Sequence, residues 1–278
     1  MYRSHWHLRS SPFRSDSAAR YFHHGPSHEE ALARLRFLVD DHRRLGLLLG
    51  ESGVGKTRVL SELAEALRRQ GRQVARVSAR GAGSRELLWQ LAAELQLAPC
   101  RDDDTFTLWR SVSDRLAANR YQQLQTVILL DDVAQAASDA RALAARLVQC
   151  DSAATAPLTI VLSADYDSAA RLGATLLDLV ELRVDLARWD VAETAEFLAG
   201  SLAAADCQRQ IFTDEAVSRL HQLSGGIPRR VVQLADLALL AGAGSGQTQV
   251  DAETVQSARD ELAVCGATTQ PRRTISAG

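Results

Sequence analysis

Residues 50–57 combine the residue types and the spacing that bind phosphate in nucleotide-binding loops. They match the pattern G-x-x-x-x-G-K-[ST] and read Gly50, Glu51, Ser52, Gly53, Val54, Gly55, Lys56 and Thr57. Glycines let such a loop turn its backbone N–H groups toward phosphate oxygens, and the following helix adds the positive end of its dipole. We expect residues 50–58, which include Arg58, to bind a nucleotide. The alternative is a glycine-rich turn before an ordinary helix.

Lys56 is the only lysine among the 32 basic residues of the chain. Because arginine serves at every other basic position, its retention here indicates that the site needs a compact ammonium group rather than a wider guanidinium. Lys56 is predicted to reach the β- and γ-phosphates, and the hydroxyl of Thr57 is predicted to ligate Mg²⁺.

Two carboxylates follow the apolar run at residues 126–130. The β-branched and aliphatic residues of this run predict a buried parallel strand with Asp131 and Asp132 at its carboxyl end. We expect Asp131 to hold Mg²⁺ through a water molecule, and Asp132 to orient or deprotonate the attacking water. The alternative is a strand that ends on an aspartate capping the next helix.

A third candidate is the hexapeptide at residues 225–230, which reads Gly-Gly-Ile-Pro-Arg-Arg. Arg229 and Arg230 fall in the first turn of a predicted helix and face the positive end of its dipole. That arrangement is unfavourable by roughly 0.3–1 kcal/mol for each arginine unless an anion is nearby. A nucleotide phosphate would supply the anion. A glycine hinge with solvated arginines explains the hexapeptide equally well.

Strands and helices alternate along the chain as far as residue 188, and the pattern is helical after it. Strands are predicted at residues 47–49, 73–78, 126–130, 158–162 and 182–186. This alternation predicts an α/β fold with a parallel sheet covered by helices on both faces, followed by a small all-α domain.

The pattern predicts four regions. Residues 1–44 would be an N-terminal segment with a leading helix that packs on the nucleotide site, and residues 45–188 the α/β nucleotide-binding domain. Residues 189–265 would form a helical lid, and residues 266–278 a disordered tail. The predicted lid helices begin at Asp190, with a capping box to Glu193, and at Thr213, Pro228 and Asp251.

Composition excludes few classes of protein. The chain has 278 residues, 46% of them apolar, and a net charge of −2, so nothing in its overall charge favours binding to nucleic acid. Residues 1–44 carry eight arginines against five acids. They form either a local basic patch or a solvated face.

Several residues have types that are common in functional sites but are predicted to be structural. The four cysteines, at positions 100, 150, 207 and 265, lack metal-ligand spacing and are expected to be small buried side chains without disulfides. The histidines at positions 5, 7, 23, 24 and 28 lack carboxylate or cysteine partners at ligand spacing. Trp89 and Trp109 are expected in the core. The sequence shows no secretory signal and no membrane span, so a cytoplasmic location is expected.

Taken together, the chain resembles the AAA+ ATPases over about residues 2–262. Within them it is similar to the ExeA/GspA-type secretion ATPases and their relatives, including TniB-type transposition ATPases. The resemblance rests on the phosphate loop, on residues 129–132 and 225–230, and on three N-terminal features. These features are His5-Trp6 followed by Ser11-Pro12-Phe13, Tyr21-Phe22, and His28-Glu29-Glu30-Ala31-Leu32.

The resemblance implies a P-loop AAA+ fold that binds ATP and Mg²⁺. It implies that Arg229 senses the γ-phosphate and that Ser163 is the polar sensor at the end of the fourth strand. Relatives that span the inner membrane carry a further hydrophobic helix and a peptidoglycan-binding module. This sequence shows neither, so a direct role in secretion is not implied.

The chain departs from the family pattern at three points. Asp132 stands where the family usually has glutamate, which is one methylene longer, so slower hydrolysis is expected. The glutamine that the family often has near Ser163 and Ala164 is not reproduced. No arginine lies directly before the fifth strand, where the family places one that acts on a neighbouring subunit. Arg171 and Arg183 are the nearest substitutes.

Three functions follow from these observations. The first is an ATPase in which MgATP closes the lid and hydrolysis changes the state of a partner protein, with a homo-oligomer possible. The second is a nucleotide-gated regulatory module with little hydrolysis, which Asp132 and the missing arginine favour. The third is a DNA-linked ATPase of the transposition type, favoured by family kinship and by the arginine-rich residues 1–44.

Overall fold

The computed structural model describes residues 2–13, 25–150 and 158–267, and side chains as far as residue 262. The chain forms two compact units. One is Pro26–Ala187, and the other combines Met1–Gly25 with Arg188–Gly278. The predicted N-terminal segment 1–44 is therefore divided between them. Trp6 and Phe13 are buried in the core of the helical unit, and the partly buried Tyr2 of the first helix, α1 (Tyr2–His5), packs against that core.

The first unit contains a five-stranded sheet, and the predicted parallel α/β fold is confirmed. The strand order is β2-β3-β4-β1-β5, and every neighbouring pair is parallel. The strands are β1 (Leu45–Gly50), β2 (Gln73–Ser78), β3 (Thr126–Asp131), β4 (Leu158–Ala164) and β5 (Leu182–Leu186). Every residue of β1, β3 and β4 is buried because helices cover both faces of the sheet.

Alternation along the strands supplies two separate apolar cores. In β3, Ile128 and Leu130 face a core shared with the helices α4 (Ser84–Glu94), α5 (Thr105–Tyr121) and α6 (Ser138–Gln149). Val127 and Leu129 face the opposite core, which includes α2 (Pro26–Asp40) and α3 (Lys56–Arg69). Successive side chains of a strand point to opposite faces, so a continuous apolar run serves both layers. A short helix, α7 (Ala174–Leu177), precedes β5.

The second unit is helical, as predicted. It contains α8 (Val191–Ala204), α9 (Asp214–Ser224), α10 (Pro228–Gly244) and α11 (Ala252–Ala267). The predicted capping box between Asp190 and Glu193 is confirmed, as are the cap at Thr213 and the proline at the start of α10. Among the described residues, no helix combines the length and the apolar character needed to cross a bilayer.

Three local predictions were wrong. Trp89 is 42% exposed, because it lies beside the buried stripe of α4 that carries Leu87, Leu88 and Leu91. Cys100 and Cys150 are exposed, whereas Cys207 is buried. The glycines within residues 242–246 predict a flexible stretch, but helix α10 continues as far as Gly244, and a Cβ on Gly242 would lie 3.0 Å from the ring of Trp6.

Other predictions are met only in part or fall outside the described residues. Trp109 is half-buried under the guanidinium of Arg146, which lies 3.8 Å from the ring centroid. Helix α11 extends to Ala267, past the predicted start of the tail. Residues 268–278, the pair Tyr21-Phe22, and His23 and His24 lie outside the described residues.

Candidate functional site

The predicted phosphate loop joins the carboxyl end of β1 to the first residue of α3. Val54 is fully buried, and its backbone N–H donates to the carbonyl of Glu51 at 3.3 Å. Gly55 has a φ of 116°, and a Cβ built on it would lie 2.6 Å from Nε2 of His28 on α2. Both the backbone angle and the available space therefore require glycine at position 55. The loop is shaped jointly by β1, α2 and α3.

Lys56 is 5% exposed and its ammonium group donates to three oxygens. They are the carbonyls of Gly50 and Glu51, at 2.9 and 3.0 Å, and Oδ1 of Asp165, at 2.6 Å. Asp165 directly follows β4, and its side chain is 16% exposed. Its second oxygen accepts a hydrogen bond from Nε2 of Gln135 at 2.9 Å.

The remaining loop residues lie closer to solvent. Ser52 and Thr57 are exposed, and Gly53 has a φ of 88°. Arg58 lies in the first turn of α3, with Nε 3.7 Å from a carboxylate oxygen of Glu62. Residues 50–58 thus run from the last residue of β1 through the loop into the first turn of a 14-residue helix, the arrangement in which backbone N–H groups and the helix dipole attract an anion.

Asp131 and Ser163 meet although 32 residues separate them in the sequence. Asp131 is the last residue of β3, and Ser163 lies near the end of the neighbouring β4; both are buried. The Ser163 hydroxyl donates to Oδ1 of Asp131 and accepts from the backbone N–H of Asp132 at 2.9 Å. Ser163 therefore orients the carboxylate of Asp131 and holds the backbone at Asp132.

Asp132 is paired with an arginine from the segment after β2. Its carboxylate accepts from Nη2 of Arg80 at 2.8 Å and from Nε at 3.2 Å. These hydrogen bonds and the charge of Asp132 raise the pKa of Arg80. Asp132 itself has a φ of 56°, in the left-handed region that aspartate tolerates better than most residues. The arginine lies near because Ser78 of β2 is in register with Asp131.

The hexapeptide at residues 225–230 forms a tightly packed turn between α9 and α10. Gly225 and Gly226 have φ values of 63° and 68°. A Cβ on Gly226 would lie 2.2 Å from the carbonyl oxygen of Trp189, and the carbonyl of Gly226 accepts from the backbone N–H of Trp189 at 2.9 Å. Arg229 is exposed in the first turn of α10. Its role as a phosphate sensor stays a prediction.

The two substitutes for a subunit-bridging arginine differ in their surroundings. Arg171 is exposed in a 3₁₀ turn, Ala169–Leu172. Arg183 on β5 makes two short hydrogen bonds to Asp185, and these bonds lower the pKa of that carboxyl group. Arg183 is therefore already held by an acid of its own strand.

The residues at the sheet edge suit Mg²⁺ rather than a metal held by protein ligands alone. Among the described residues, no cluster of three or more His, Cys, Asp or Glu side chains could hold a metal ion. Mg²⁺ takes one or two hard oxygen ligands from a protein and otherwise keeps waters and phosphate oxygens. Thr57 and Asp131 offer such oxygens, and the Ser163 hydroxyl donates to Oδ1 of Asp131.

Sequence reasoning missed Asp165, Gln135 and Arg80. The available signal was their position, because Asp165 directly follows β4 and Arg80 follows β2 by two residues. The carboxyl ends of parallel strands meet at one edge of a sheet, where α/β proteins bind ligands. Polar residues that follow each strand were therefore as good candidates for site residues as Asp131.

Comparison with known proteins identifies one domain and one related protein. Residues 39–172 match the family model of the AAA domain. General secretion pathway protein A of Aeromonas hydrophila is 28% identical over 257 residues. This match covers 90% of the present chain and 46% of that protein, so the chain spans about half the length of its relative.

Solved structures share the fold at low sequence identity. Cdc6p from Pyrobaculum aerophilum has a TM-score of 0.70 at 16% identity, covering 91% of this chain and 70% of that chain. The Aeropyrum pernix ORC1 protein, solved in complex with DNA, has a TM-score of 0.70 at 17% identity, covering 94% and 72%. The RuvB Holliday junction branch migration motor of Thermotoga maritima has a TM-score of 0.55 at 15% identity, covering 92% and 73%.

Proposed function

We propose that this protein binds and hydrolyses MgATP, because residues 39–172 match the family model of the AAA domain and the chain is similar to General secretion pathway protein A. The observation that carries the proposal is the meeting of three segments at one edge of the sheet. The phosphate loop follows β1, Asp131 and Asp132 lie at the end of β3, and Ser163 lies near the end of β4. Nucleotide phosphates, a metal ion and an attacking water need such a set of groups together.

In this proposal, residues 50–58 bind the phosphates. The backbone N–H groups of the loop surround the phosphate oxygens, and Lys56 supplies a point charge at the β- and γ-phosphates. Thr57 and Asp131 hold Mg²⁺, which when bound neutralises charge on the phosphate oxygens. Ser163 holds the carboxylate of Asp131 and the backbone of Asp132 through its two hydrogen bonds.

Asp132 is the proposed base for the attacking water. Its side chain is 13% exposed and is held by the guanidinium of Arg80. A base for this step must lie within hydrogen-bond reach of the water that it orients. Since aspartate is one methylene shorter than glutamate and here also bonds an arginine, we expect turnover to be slow.

We propose that the helical unit acts as the moving part. Arg229 would contact the γ-phosphate, so that the bound nucleotide holds the unit in one position and hydrolysis releases it. The change would act on a partner protein, whose identity nothing in the described residues specifies. As expected of a sensor, Arg229→Ala would reduce turnover more than it reduces the affinity for MgATP. If neither quantity changed, the assignment of Arg229 would be wrong.

A nucleotide-gated module with little hydrolysis is the second candidate. The pairing of Asp132 with Arg80 favours it, because a carboxylate that already accepts two hydrogen bonds is less available to a water molecule. A DNA-linked function has less support. Within the arginine-rich residues 1–44, Arg9, Arg34 and Arg43 lie within 4 Å of acids, Arg9 beside Asp206 and Arg43 beside Asp41 and Glu181.

Phosphate release from MgATP separates the first two candidates. The full chain would be assayed across a range of protein concentrations, with Lys56→Ala as the blank and Asp132→Asn as the test of the base. We expect turnover by the unaltered chain and a loss of about 10²-fold or more in Asp132→Asn, with nucleotide binding retained. Activity per molecule that rises with concentration would indicate an oligomer. Bound ATP with a rate equal to the blank would favour the regulatory module.

A further inference from the structure

The ion pair between Lys56 and Asp165 lies inside the proposed phosphate site. We propose that Asp165 competes with the nucleotide phosphates for Lys56 and thereby limits how tightly the site holds a nucleotide. This inference rests on the proposed function and adds a means of regulation to it. It assigns to Asp165 and Gln135 a role that neither the loop motif nor the strand pattern indicated.

The donors of Lys56 are the starting point. An ammonium group has three N–H donors, and Lys56 directs them to Gly50, Glu51 and Asp165. A phosphate oxygen that binds Lys56 must therefore replace one of these acceptors. Two of them are backbone carbonyls, that of Gly50, the last residue of β1, which pairs with Leu186 of β5, and that of Glu51, the next residue in the chain. The third is a side chain, so Asp165 is the acceptor that can leave.

Charge and burial make this competition strong. Lys56 is 5% and Asp165 16% exposed, and the two charged atoms lie 2.6 Å apart. Little water screens a pair at such depth. A phosphate group and the Asp165 carboxylate are both anions, so they cannot share the ammonium at close range without repulsion. Nucleotide binding must therefore break a short, charge-assisted hydrogen bond.

Gln135 positions Asp165 for this contact. Its amide donates to the carboxylate oxygen that does not bind Lys56, at 2.9 Å. Gln135 ends the 3₁₀ turn Val133–Gln135; its N–H donates to the carbonyl of Asp132, and its carbonyl accepts from Gly81. The turn thus connects Asp165 to the segments that carry Asp132 and Arg80. Gln135 is a positioning residue, because it acts through Asp165.

Equilibrium binding of MgADP and MgATP to the full chain tests the proposal. Asp165→Asn keeps the size of the side chain and removes its charge. We expect it to bind both nucleotides about tenfold more tightly or better. Asp167→Asn is the matched control, because it removes the same charge from an exposed residue two positions away, and its affinities should equal those of the unaltered chain. Equal affinities in Asp165→Asn and the unaltered chain would overturn the proposal.

Gln135→Leu provides a second variant should Asp165→Asn fold poorly. It leaves the carboxylate in place but removes the amide that holds it. We expect a smaller increase in nucleotide affinity than in Asp165→Asn, because the ion pair is loosened rather than lost. A decrease in affinity would contradict the role assigned to Gln135 and to the pair.

The single lysine allows a direct measurement of the pair. An amine-acylating reagent can modify only Lys56 and the N-terminal amine, and peptide mass spectrometry separates the two. Because the ammonium no longer donates to a carboxylate, Lys56 should be acylated several-fold faster in Asp165→Asn than in the unaltered chain or in Asp167→Asn. MgADP should protect Lys56 in all three. Equal rates without nucleotide would mean that Asp165 does not hold Lys56 in solution.

The outcomes separate this inference from the proposed function. If neither the unaltered chain nor Asp165→Asn binds nucleotide at millimolar concentration, the proposed function fails. If both bind with equal affinity, the function stands and only the competition by Asp165 is wrong.

Discussion

The candidate-site groups of the α/β unit and the helix caps of the helical unit differ in how far apart in the sequence their polar partners lie. In the α/β unit, Lys56 meets Asp165 across 109 residues, and Arg80 meets Asp132 across 52. In the helical unit, Asp190 and Glu193 cap one helix across three residues, and Thr213 caps another across three. The α/β unit therefore creates its site by tertiary contact, whereas the helical unit specifies its helix ends locally.

The cause of this difference is the geometry of each unit. Parallel strands place their carboxyl ends along one edge, whatever the length of chain between them, so residues from distant segments become neighbours. A helix leaves its first N–H groups without partners inside the helix, and a side chain three residues earlier is the nearest acceptor. Substitutions in the two units should accordingly have different consequences.

The largest expected effect is at Lys56. Lys56→Ala removes the charge that we propose reaches the phosphates, so we expect the affinity for MgATP to fall by about 100-fold or more. Lys56→Arg should fail nearly as badly, because the planar guanidinium is wider than the ammonium group that the loop surrounds. Calorimetric titration with MgATP measures both. Arg110→Ala, on the exposed side of α5, should bind like the unaltered chain. Unchanged affinity in Lys56→Ala would overturn the phosphate-loop assignment.

The second-largest effect is expected on stability, at Gly226 in the turn before α10. It shows whether this turn is as tightly packed as the phosphate loop. Gly226→Ala should lower the free energy of unfolding by about 3 kcal/mol or more, because its Cβ would lie 2.2 Å from a backbone oxygen. Gly246→Ala is a close control, since it has the same φ of 68° but no atom within 4 Å. It should cost about 1 kcal/mol. Urea denaturation measures both, and equal costs would show that the turn rearranges freely.

Two buried serines compare a distant contact with a local one. Ser163→Ala leaves the buried Asp131 without its hydroxyl donor, so we expect a loss of about 2 kcal/mol in unfolding free energy. Ser224→Ala removes a hydroxyl that bonds the carbonyl of His221, three residues earlier, and should cost about 1 kcal/mol. Denaturation in urea checks both values. If Ser224→Ala lost more unfolding free energy than Ser163→Ala, the distant contact would not be the stronger of the two.

The smallest expected effect is on how the free energy of unfolding depends on pH. Backbone N–H groups lower the pKa of Asp139, which accepts from Ser84, and of Asp251, which accepts from Thr254. A lowered folded-state pKa means that the stabilisation is complete above the unfolded value of about 3.9 and is lost as the pH falls through the folded value.

Asp139→Asn and Asp251→Asn should therefore reduce the unfolding free energy at neutral pH, and their difference from the unaltered chain should shrink toward zero at about pH 2. Denaturation at several pH values measures this. We expect the same sign for both sites, although Asp139 joins α6 to α4 and Asp251 caps α11 only. A difference that grows at low pH would show that the hydrogen bonds to these carboxylates are not the cause.

The boundaries of the elements could largely be predicted from the chain. Strands β2 and β5 begin and end where the pattern of apolar and β-branched residues places them. The exposure of Trp89 and of the two cysteines could not be predicted, because composition indicates that a residue type is often buried but not which side of a helix faces the core. The division of residues 1–44 also escaped prediction, since both parts carry apolar side chains and only packing assigns them to separate cores.

By itself, the sequence determined the phosphate loop, the helix caps and the acids after β3, because each depends on residues that are close together along the chain. Only the tertiary structure decided that Lys56 binds Asp165, that Arg80 holds Asp132 and that Ser163 orients Asp131. Strand order and register set these partners, and both arise from long-range packing of apolar faces. A motif can predict the charged residues of a site, but the tertiary fold determines which residues they contact.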